Sequence, residues 1–314
     1  MFKKGGFFAN FVLLLLFAAL GVAGYYLYQL WPREPVALDI VSIDSPSPIV
    51  LNDVPSKQFY SRMRYPDKTI SYSIASSCSS ERVSSMKEAF SNIASVTVLD
   101  FVESSVNSEI KVLCSDVGPE AGQENYFVAG EGGPSRVLNS SFYSVILEGK
   151  IALYRDDSCS GAKVATHELL HALGFDHNNN PKSILYPTLK CDQKLDEEII
   201  ESINDLYSVD SLPDLVVYTV NATKSGRYLN FHIEISNQGL IPSGALSLGI
   251  YSEDKLIDDF DIGAVSVGAR KILDVENMKV PSDADSIVFF ADYSDSVAEL
   301  DEQNNKATLR LTTR

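Results

Sequence analysis

Three histidines and a glutamate lie close together in this chain, spaced as His167-Glu168-x-x-His171-x-x-Gly174-x-x-His177. Residues four apart share one face of an α-helix, so a helix here would offer the imidazoles of His167 and His171 to one metal ion. Gly174 permits the left-handed conformation that ends a helix, and a turn there would bring back His177 as a third ligand. Glu168 is placed to hold a proton rather than the metal. Three neutral imidazoles with an open fourth position are typical of a catalytic zinc site.

The alternative for this stretch is a chance occurrence, because the shorter pattern H-E-x-x-H arises in many helices without a metal. Gly174 and His177 at their spacing argue against coincidence. The composition points the same way, since three of the four histidines in the chain lie in this string. The fourth, His232, lies in an alternating segment, where we predict a partly exposed strand residue and not a ligand.

This string resembles the signature of the metzincin superfamily of zinc endopeptidases. The resemblance implies hydrolysis of peptide bonds, with one catalytic Zn²⁺ held by His167, His171 and His177 and with Glu168 as the general base. Downstream, Leu185 stands where the matrixin branch of the superfamily has the methionine of a tight turn beneath the zinc. Leucine is apolar and of similar volume, so we expect the support beneath the ligands to survive the replacement.

The elements around the string alternate between strand and helix signals, which predicts an α/β zincin domain over residues 67–210. The predicted elements are a strand Thr69–Ala75, a helix capped by Ser79 or Ser80, strands Val98–Val102 and Glu109–Cys114, a Gly-rich loop Gly118–Gly133, strands Phe142–Leu147 and Lys150–Tyr154, a helix capped by Ser158 or Ser160 from near Gly161 to Gly174, and a helix Asp196–Tyr207. Their order is similar to that of the matrixin branch, whose substrate pairs with an edge strand above the cleft. We predict Lys150–Tyr154 as that edge.

Residues 213–314 change to short strand-like runs between turn signals, which predicts an all-β, immunoglobulin-like sandwich. Three motifs resemble the cell-adhesion-related (CARDB) domain of prokaryotic surface proteins: Pro213-Asp214-Leu215-Val216-Val217, Asn237-Gln238-Gly239 and Glu299-Leu300-Asp301-Glu302-Gln303-Asn304-Asn305. The resemblance implies a sandwich with a cell-surface ligand as its class of partner, without identifying that ligand. The acidic segment Asp295–Glu302 admits a calcium site or, as the favoured interpretation, a solvated acidic turn.

The run Phe7–Leu30 is uncharged and almost wholly apolar, and Lys3 and Lys4 precede it. About 20 apolar residues cross a bilayer, so residues 1–31 are predicted as a transmembrane anchor. The leading lysines favour a cytoplasmic N-terminus and an extracellular remainder. The small residues Gly21-Val22-Ala23 leave cleavage as a secretory signal open. Residues 32–66 are rich in proline and lack periodicity, which predicts a linker.

The four cysteines, Cys78, Cys114, Cys159 and Cys191, all lie between the linker and the sandwich. An even number on the translocated side of a membrane predicts disulfides. Four cysteines allow three pairings, of which we favour Cys78–Cys114 and Cys159–Cys191. The alternative is free buried thiols.

Together these features predict a membrane-anchored or secreted zinc endopeptidase that acts on extracellular or cell-surface proteins. The net charge of −16 disfavours a nucleic-acid partner. The alternative from another class is a surface-binding or adhesion protein with a degenerate zinc domain; Leu185 supports that alternative and an intact Glu168 argues against it. A zinc amidase of cell-wall peptides would share the chemistry and differ in substrate.

Overall fold

The computed structural model describes residues 6–30, 35–43, 56–120, 127–157 and 159–311. Within these ranges the chain forms four α-helices and fourteen β-strands. The helices are α1 (Gly6–Leu30), α2 (Ser80–Val96), α3 (Lys163–Ala172) and α4 (Glu197–Leu206). The strands are β1 (Val36–Ile43), β2 (Met63–Arg64), β3 (Thr69–Ile74), β4 (Asp100–Glu103), β5 (Ile110–Cys114), β6 (Gly130–Asn139), β7 (Ser144–Leu153), β8 (Leu215–Ser225), β9 (Tyr228–Asn237), β10 (Leu246–Ser252), β11 (Lys255–Gly263), β12 (Arg270–Lys279), β13 (Ser286–Ala291) and β14 (Lys306–Leu311).

Helix α1 is apolar throughout, and its stretch Asn10–Tyr28 is long and apolar enough to cross a membrane. None of that stretch is buried against the rest of the protein. Because exposing so much apolar surface to water is unfavourable, α1 is suited to a signal sequence or a membrane anchor.

An α/β domain is built on a sheet with the strand order β2-β7-β5-β3-β4. These five strands are parallel, and β6 runs antiparallel along β7. Helices α2, α3 and α4 share one buried core with this sheet, which confirms the predicted α/β class. The amphipathic helix α2 begins at the predicted cap, where Ser79 Oγ accepts a hydrogen bond from the Arg82 backbone N–H.

The strand β7 differs from its prediction. It is one continuous strand from Ser144 to Leu153, where the sequence predicted two runs. It pairs with β5 on one side and with β6 on the other, so the prediction of Lys150–Tyr154 as a free edge is wrong. The strand β6 begins inside the predicted Gly-rich loop. Glycines among its first residues weaken the strand pattern, so the sequence predicted a loop there.

The C-terminal sandwich contains β8–β14 around a second buried core, as the sequence predicted. Its strand order is β11-β10-β13-β14-β1-β8-β9-β12. The strand β11 pairs only with β10 among the described strands. His232 lies half-exposed on β9, where Asp274 on the neighbouring strand β12 accepts from its Nδ1 at 2.7 Å.

The strand β1 joins the sandwich from the far end of the chain. It lies between β14 and β8 and is antiparallel to both, with Leu38 opposite Leu311 and Ala37 opposite Thr223. The expectation that residues 32–66 carry no regular structure is therefore wrong for 36–43. Leu38 is the one buried residue of β1. A strand with so little buried surface does not need alternating apolar and polar residues, and alternation is the pattern by which a strand is detected in a sequence.

Residues 56–66 also pack as part of the α/β domain rather than as a free linker. The Ser56 backbone N–H donates to Ser202 Oγ on α4 at 3.0 Å, and Lys57 Nζ pairs with Asp176 at 2.5 Å. The strand β2 extends the sheet beside β7. Arg64 is almost fully buried and donates to the carbonyl oxygen of Leu206 at 2.6 Å. Contacts with residues far along the chain therefore hold residues 56–66 in place, although their own sequence shows no pattern of a helix or a strand.

Both predicted disulfides are present. Cys78 is bonded to Cys114, with 5.0 Å between the Cα atoms, and Cys159 to Cys191, with 5.2 Å. Cys78–Cys114 ties the end of β5 to the segment before α2. Cys159–Cys191 closes a loop that contains all three histidines of the string.

In the acidic segment Asp295–Glu302 of the sandwich, Asp295 and Glu302 are exposed, as expected of a solvated turn, but Glu299 is buried. Glu299 is 7% exposed, and its carboxylate accepts from the Leu215 backbone N–H and from Asn305 Nδ2. Asp214 is also buried and accepts from Asn304 Nδ2. Burial raises the pKa of Glu299 to about 8 and that of Asp214 to about 6. These carboxylates bind N–H donors and tie β8 to the last turn.

We expect the sandwich to lose stability as the pH rises from 3.8, the ordinary pKa of Asp214, to about 8, the raised pKa of Glu299. The folded state binds protons at Glu299 and Asp214 more tightly than the unfolded state does, so deprotonation in this window favours unfolding. The loss should be at least ~1.4 kcal/mol, the value of one pKa unit. Urea unfolding at several pH values measures it. Glu299→Gln should flatten the pH dependence and Glu276→Gln, at an exposed position on β12, should not; equal slopes would contradict the assignment.

Candidate metal centre

Helix α3 carries the first two histidines of the string, one turn apart and both buried. The helix begins after Ala162, whose left-handed backbone stands at the N-cap with no side-chain hydrogen bond of its own. Asp157 Oδ2 instead accepts from the Val164 backbone N–H at 2.9 Å. The structure does not use Ser160 as the predicted cap, and Ser158 lies outside the described residues.

Gly174 ends this segment and turns the chain back towards the helix. Its φ of +97° is strained for any other residue, and a Cβ there would lie 2.6 Å from Met63 Cγ. The turn brings His177 to the two helical histidines, as the sequence predicted. Asp176 Oδ1 accepts from the His177 backbone N–H at 2.7 Å and so orients the turn.

The three imidazoles converge through their Nε2 atoms. The distances are 3.0 Å between His167 and His171, 3.2 Å between His171 and His177, and 3.3 Å between His167 and His177. Zn–N bonds of about 2.0–2.1 Å at tetrahedral angles place ligand nitrogens about 3.3–3.4 Å apart. The donor set therefore fits a zinc ion, and the triad could hold a metal.

Hydrogen bonds on the other ring nitrogens orient two of these imidazoles. His167 Nδ1 donates to the Ile184 carbonyl at 2.6 Å, and His171 Nδ1 donates to the Phe175 carbonyl at 2.7 Å. These bonds leave the Nε2 lone pairs free for a metal. Burial lowers the pKa of His167 to about 4 and also lowers the pKa of His171 and of His177. The rings are thus neutral at neutral pH, as metal ligation requires.

Leu185 lies in the turn beneath the histidines. Its side chain is 1% exposed and belongs to the core of the α/β domain. Its backbone carbonyl accepts a hydrogen bond from the Asn178 backbone N–H at 3.0 Å. The carbonyl of its neighbour Ile184 accepts the hydrogen bond from His167 Nδ1. The turn is therefore formed and packed with leucine at this position.

Glu168 faces the same cleft and is 5% exposed. Burial, together with the charge of Glu131, raises its pKa to about 8, while a hydrogen bond from the Gly132 backbone opposes that shift. Such a carboxyl exchanges a proton near neutral pH, which suits a general base.

Two glycines of β6, which the sequence analysis assigned to a loop, let this strand approach α3. A Cβ at Gly130 would lie 2.7 Å from Glu168 Cγ, and a Cβ at Gly132 would overlap the Glu168 carbonyl oxygen. The Gly-Glu-Gly-Gly run could be seen in the sequence, but its close contact with Glu168 on α3 could not be predicted from it. Pro187, Thr188 and Leu189 also line the cleft.

We expect Gly132→Ala to destabilise the α/β domain by about 1–3 kcal/mol, because the added methyl group forces β6 away from α3. Thermal unfolding measures the loss, and bound metal per chain reports on the histidines. Gly133→Ala is the matched control, since nothing lies within 4 Å of its Cβ position. Equal melting temperatures for the two variants would show that the close approach does not constrain the site.

Comparison with known proteins divides the chain in two. The matrixin family model matches residues 64–208, and the CARDB model matches residues 212–309. Macrophage metalloelastase of Rattus norvegicus is 50% identical over 48 residues, which cover 14% of this chain and only 10% of that relative. The matrixin match supports a metallopeptidase.

Two solved structures are each similar to about a third of the chain. The CARDB domain of a Pyrococcus furiosus protein, in complex with di-metal ions, is 18% identical with a TM-score of 0.27 and covers 32% of this chain and 88% of that one. A domain of a putative cell surface protein from Methanosarcina acetivorans is 19% identical with a TM-score of 0.27 and covers 33% of this chain and 94% of that one. By its two family-model matches, the chain carries a matrixin domain over residues 64–208 followed by a CARDB domain over residues 212–309.

Proposed function

We propose that this protein is a zinc-dependent endopeptidase. The observation that carries the proposal is the convergence of three neutral imidazole Nε2 atoms within 3.0–3.3 Å of one another, in the cleft that also holds the Glu168 carboxyl. His167, His171 and His177 are the proposed ligands, and Glu168 is the proposed general base. The matrixin match supports this assignment.

Zinc at this site would lower the pKa of a bound water to about 7 and polarise the scissile carbonyl. Glu168 then accepts the proton of the attacking water and delivers it to the leaving amine. The Ile184 and Phe175 carbonyls hold the His167 and His171 rings in the required tautomer. This tautomer leaves each Nε2 lone pair directed into the cleft.

We propose β6 as the strand that binds the substrate backbone. It pairs with β7 along one edge, and among the described strands its other edge has no partner. Its residues Gly130, Glu131 and Gly132 line the cleft beside Glu168. An extended peptide can add to such an edge as a further strand. We propose Pro187-Thr188-Leu189 as the facing wall, which contacts the residue after the cleaved bond.

We propose that the domains act outside the cytoplasm on extracellular or cell-surface proteins. Two disulfides and the N-terminal apolar helix support this location. With α1 retained, the protein is a single-pass membrane protein with a cytoplasmic N-terminus; with α1 cleaved, it is secreted.

The test is peptide cleavage by the full chain in detergent, before and after metal removal. We expect a zinc chelator to abolish cleavage of an unfolded protein substrate and one equivalent of zinc to restore it. Cleavage that persists in the metal-free protein would contradict the proposal. If the zinc-loaded protein cuts neither proteins nor cell-wall peptides, the surface-binding alternative is favoured; cleavage of wall peptides alone would indicate the amidase.

A further inference from the structure

The turn between β6 and β7 contacts the CARDB domain through an apolar cluster. Tyr143 and Val145 of the matrixin domain pack with Leu240 and Val267 of the CARDB domain, and all four are at most 5% exposed. Burial to this degree on both sides is typical of a packed core rather than of a loose contact between domains.

Gln238 of the Asn237-Gln238-Gly239 motif adds hydrogen bonds to the same turn. Its Oε1 accepts from the Ser141 backbone N–H at 2.5 Å, and its carbonyl accepts from Ser140 Oγ at 3.0 Å. Its Nε2 donates to Ser236 Oγ at 2.9 Å, which holds the side chain from within the CARDB domain. Gln238 is 6% exposed. A glutamine with this degree of burial and these partners is suited to joining the two domains.

The backbones approach closely at the same place. Gly268 has a φ of +69°, and a Cβ there would overlap the Asn139 carbonyl oxygen at the end of β6. Asn237 holds the CARDB side of this contact, where the Gly268 backbone N–H donates to its carbonyl at 2.9 Å. The motif therefore has two roles, with Asn237 ordering the CARDB loop and Gln238 contacting the matrixin domain.

The strand β6 connects the cleft to the contact with the CARDB domain, because it begins at the first and ends at the second. β6 has ten residues and spans about 33 Å. Its first residues pack against Glu168, and its last residue meets Gly268. We propose that the CARDB domain braces β6, with Gln238 as the positioning residue, and so holds the substrate-binding edge in register with the metal site. The link to substrate rests on the proposed peptidase function; the bracing of β6 does not.

The experiment compares Gln238→Ala with the parent chain by amide hydrogen exchange and by kinetics. We expect exchange of the β6 amides to accelerate about 3- to 10-fold, the effect of losing a buried hydrogen bond. KM for a long peptide should rise by a similar factor, with kcat and bound zinc unchanged. Gln238→Glu keeps the acceptor for Ser141 and should restore the slow exchange. Gln303→Ala, at an exposed position of the same domain, is the matched control.

A melting curve of the CARDB domain shows whether Gln238→Ala folds. If it does not fold, Val267→Ala replaces it in the experiment. This variant removes two methyl groups from the apolar cluster, and the same acceleration of β6 exchange is expected. Unchanged exchange in β6 with a folded variant would overturn the proposal. An absence of cleavage by the parent chain would overturn the peptidase function alone, because exchange in β6 is measured without substrate.

Discussion

Glu168→Ala is expected to lower kcat/KM for peptide cleavage about 10²–10⁴-fold while zinc remains bound, which is the usual contribution of a general base. The Ile184 and Phe175 carbonyls, and not the Glu168 carboxyl, orient the His167 and His171 rings, so the geometry of these ligands should survive the change. Steady-state kinetics with zinc analysis on the same sample measures both effects.

Glu201→Ala, on the exposed face of α4, is the control for this experiment. It should retain full activity, since it lies outside the cleft. Equal cleavage by the Glu168→Ala and parent proteins would point to a contaminating protease and remove the evidence for a general base at this position.

His171→Ala is expected to weaken zinc binding more than 100-fold and to abolish cleavage with it. Loss of an outer-shell partner alone costs about 10–100-fold in metal affinity, and His171 is a proposed direct ligand. Its Nε2 lies nearest to both others, at 3.0 Å from His167 and 3.2 Å from His177. Competition with a chromophoric zinc chelator measures the affinity, and thermal unfolding of the metal-free proteins checks that the variant folds.

The chain offers a matched control in His232→Ala, which removes the fourth histidine from the sandwich. It should leave both zinc affinity and cleavage unchanged. A variant at His171 that still binds one zinc with parental affinity would show that the metal site lies elsewhere.

The candidate site could be read from the sequence because its geometry is local. His167 and His171 are related by one helical turn, and Gly174 allows the reversal that returns His177. The same holds for α2, whose cap and apolar spacing lie within a single element. Where neighbours in sequence are neighbours in space, residue types and spacing were sufficient.

The features that sequence reasoning missed depend on partners far along the chain. Gly132 is constrained by the Glu168 carbonyl, β1 by a strand at the other end of the chain, and Gln238 by a turn in the other domain. Nothing in a glycine, a short apolar run or a polar motif specifies which distant backbone it will meet. Register and docking between distant segments are tertiary information, which no local pattern carries.

The position of β1 in the sandwich sets the order in which the domains can be completed during synthesis. Among the strands of the sandwich, β1 is made first and β14, its neighbour, last. At a synthesis rate of about 5–20 residues per second, β14 is made on the order of tens of seconds after β1. The matrixin domain lies between them and completes its own sheet in that interval. The sandwich therefore closes last, by a pairing of high contact order that is slow to form.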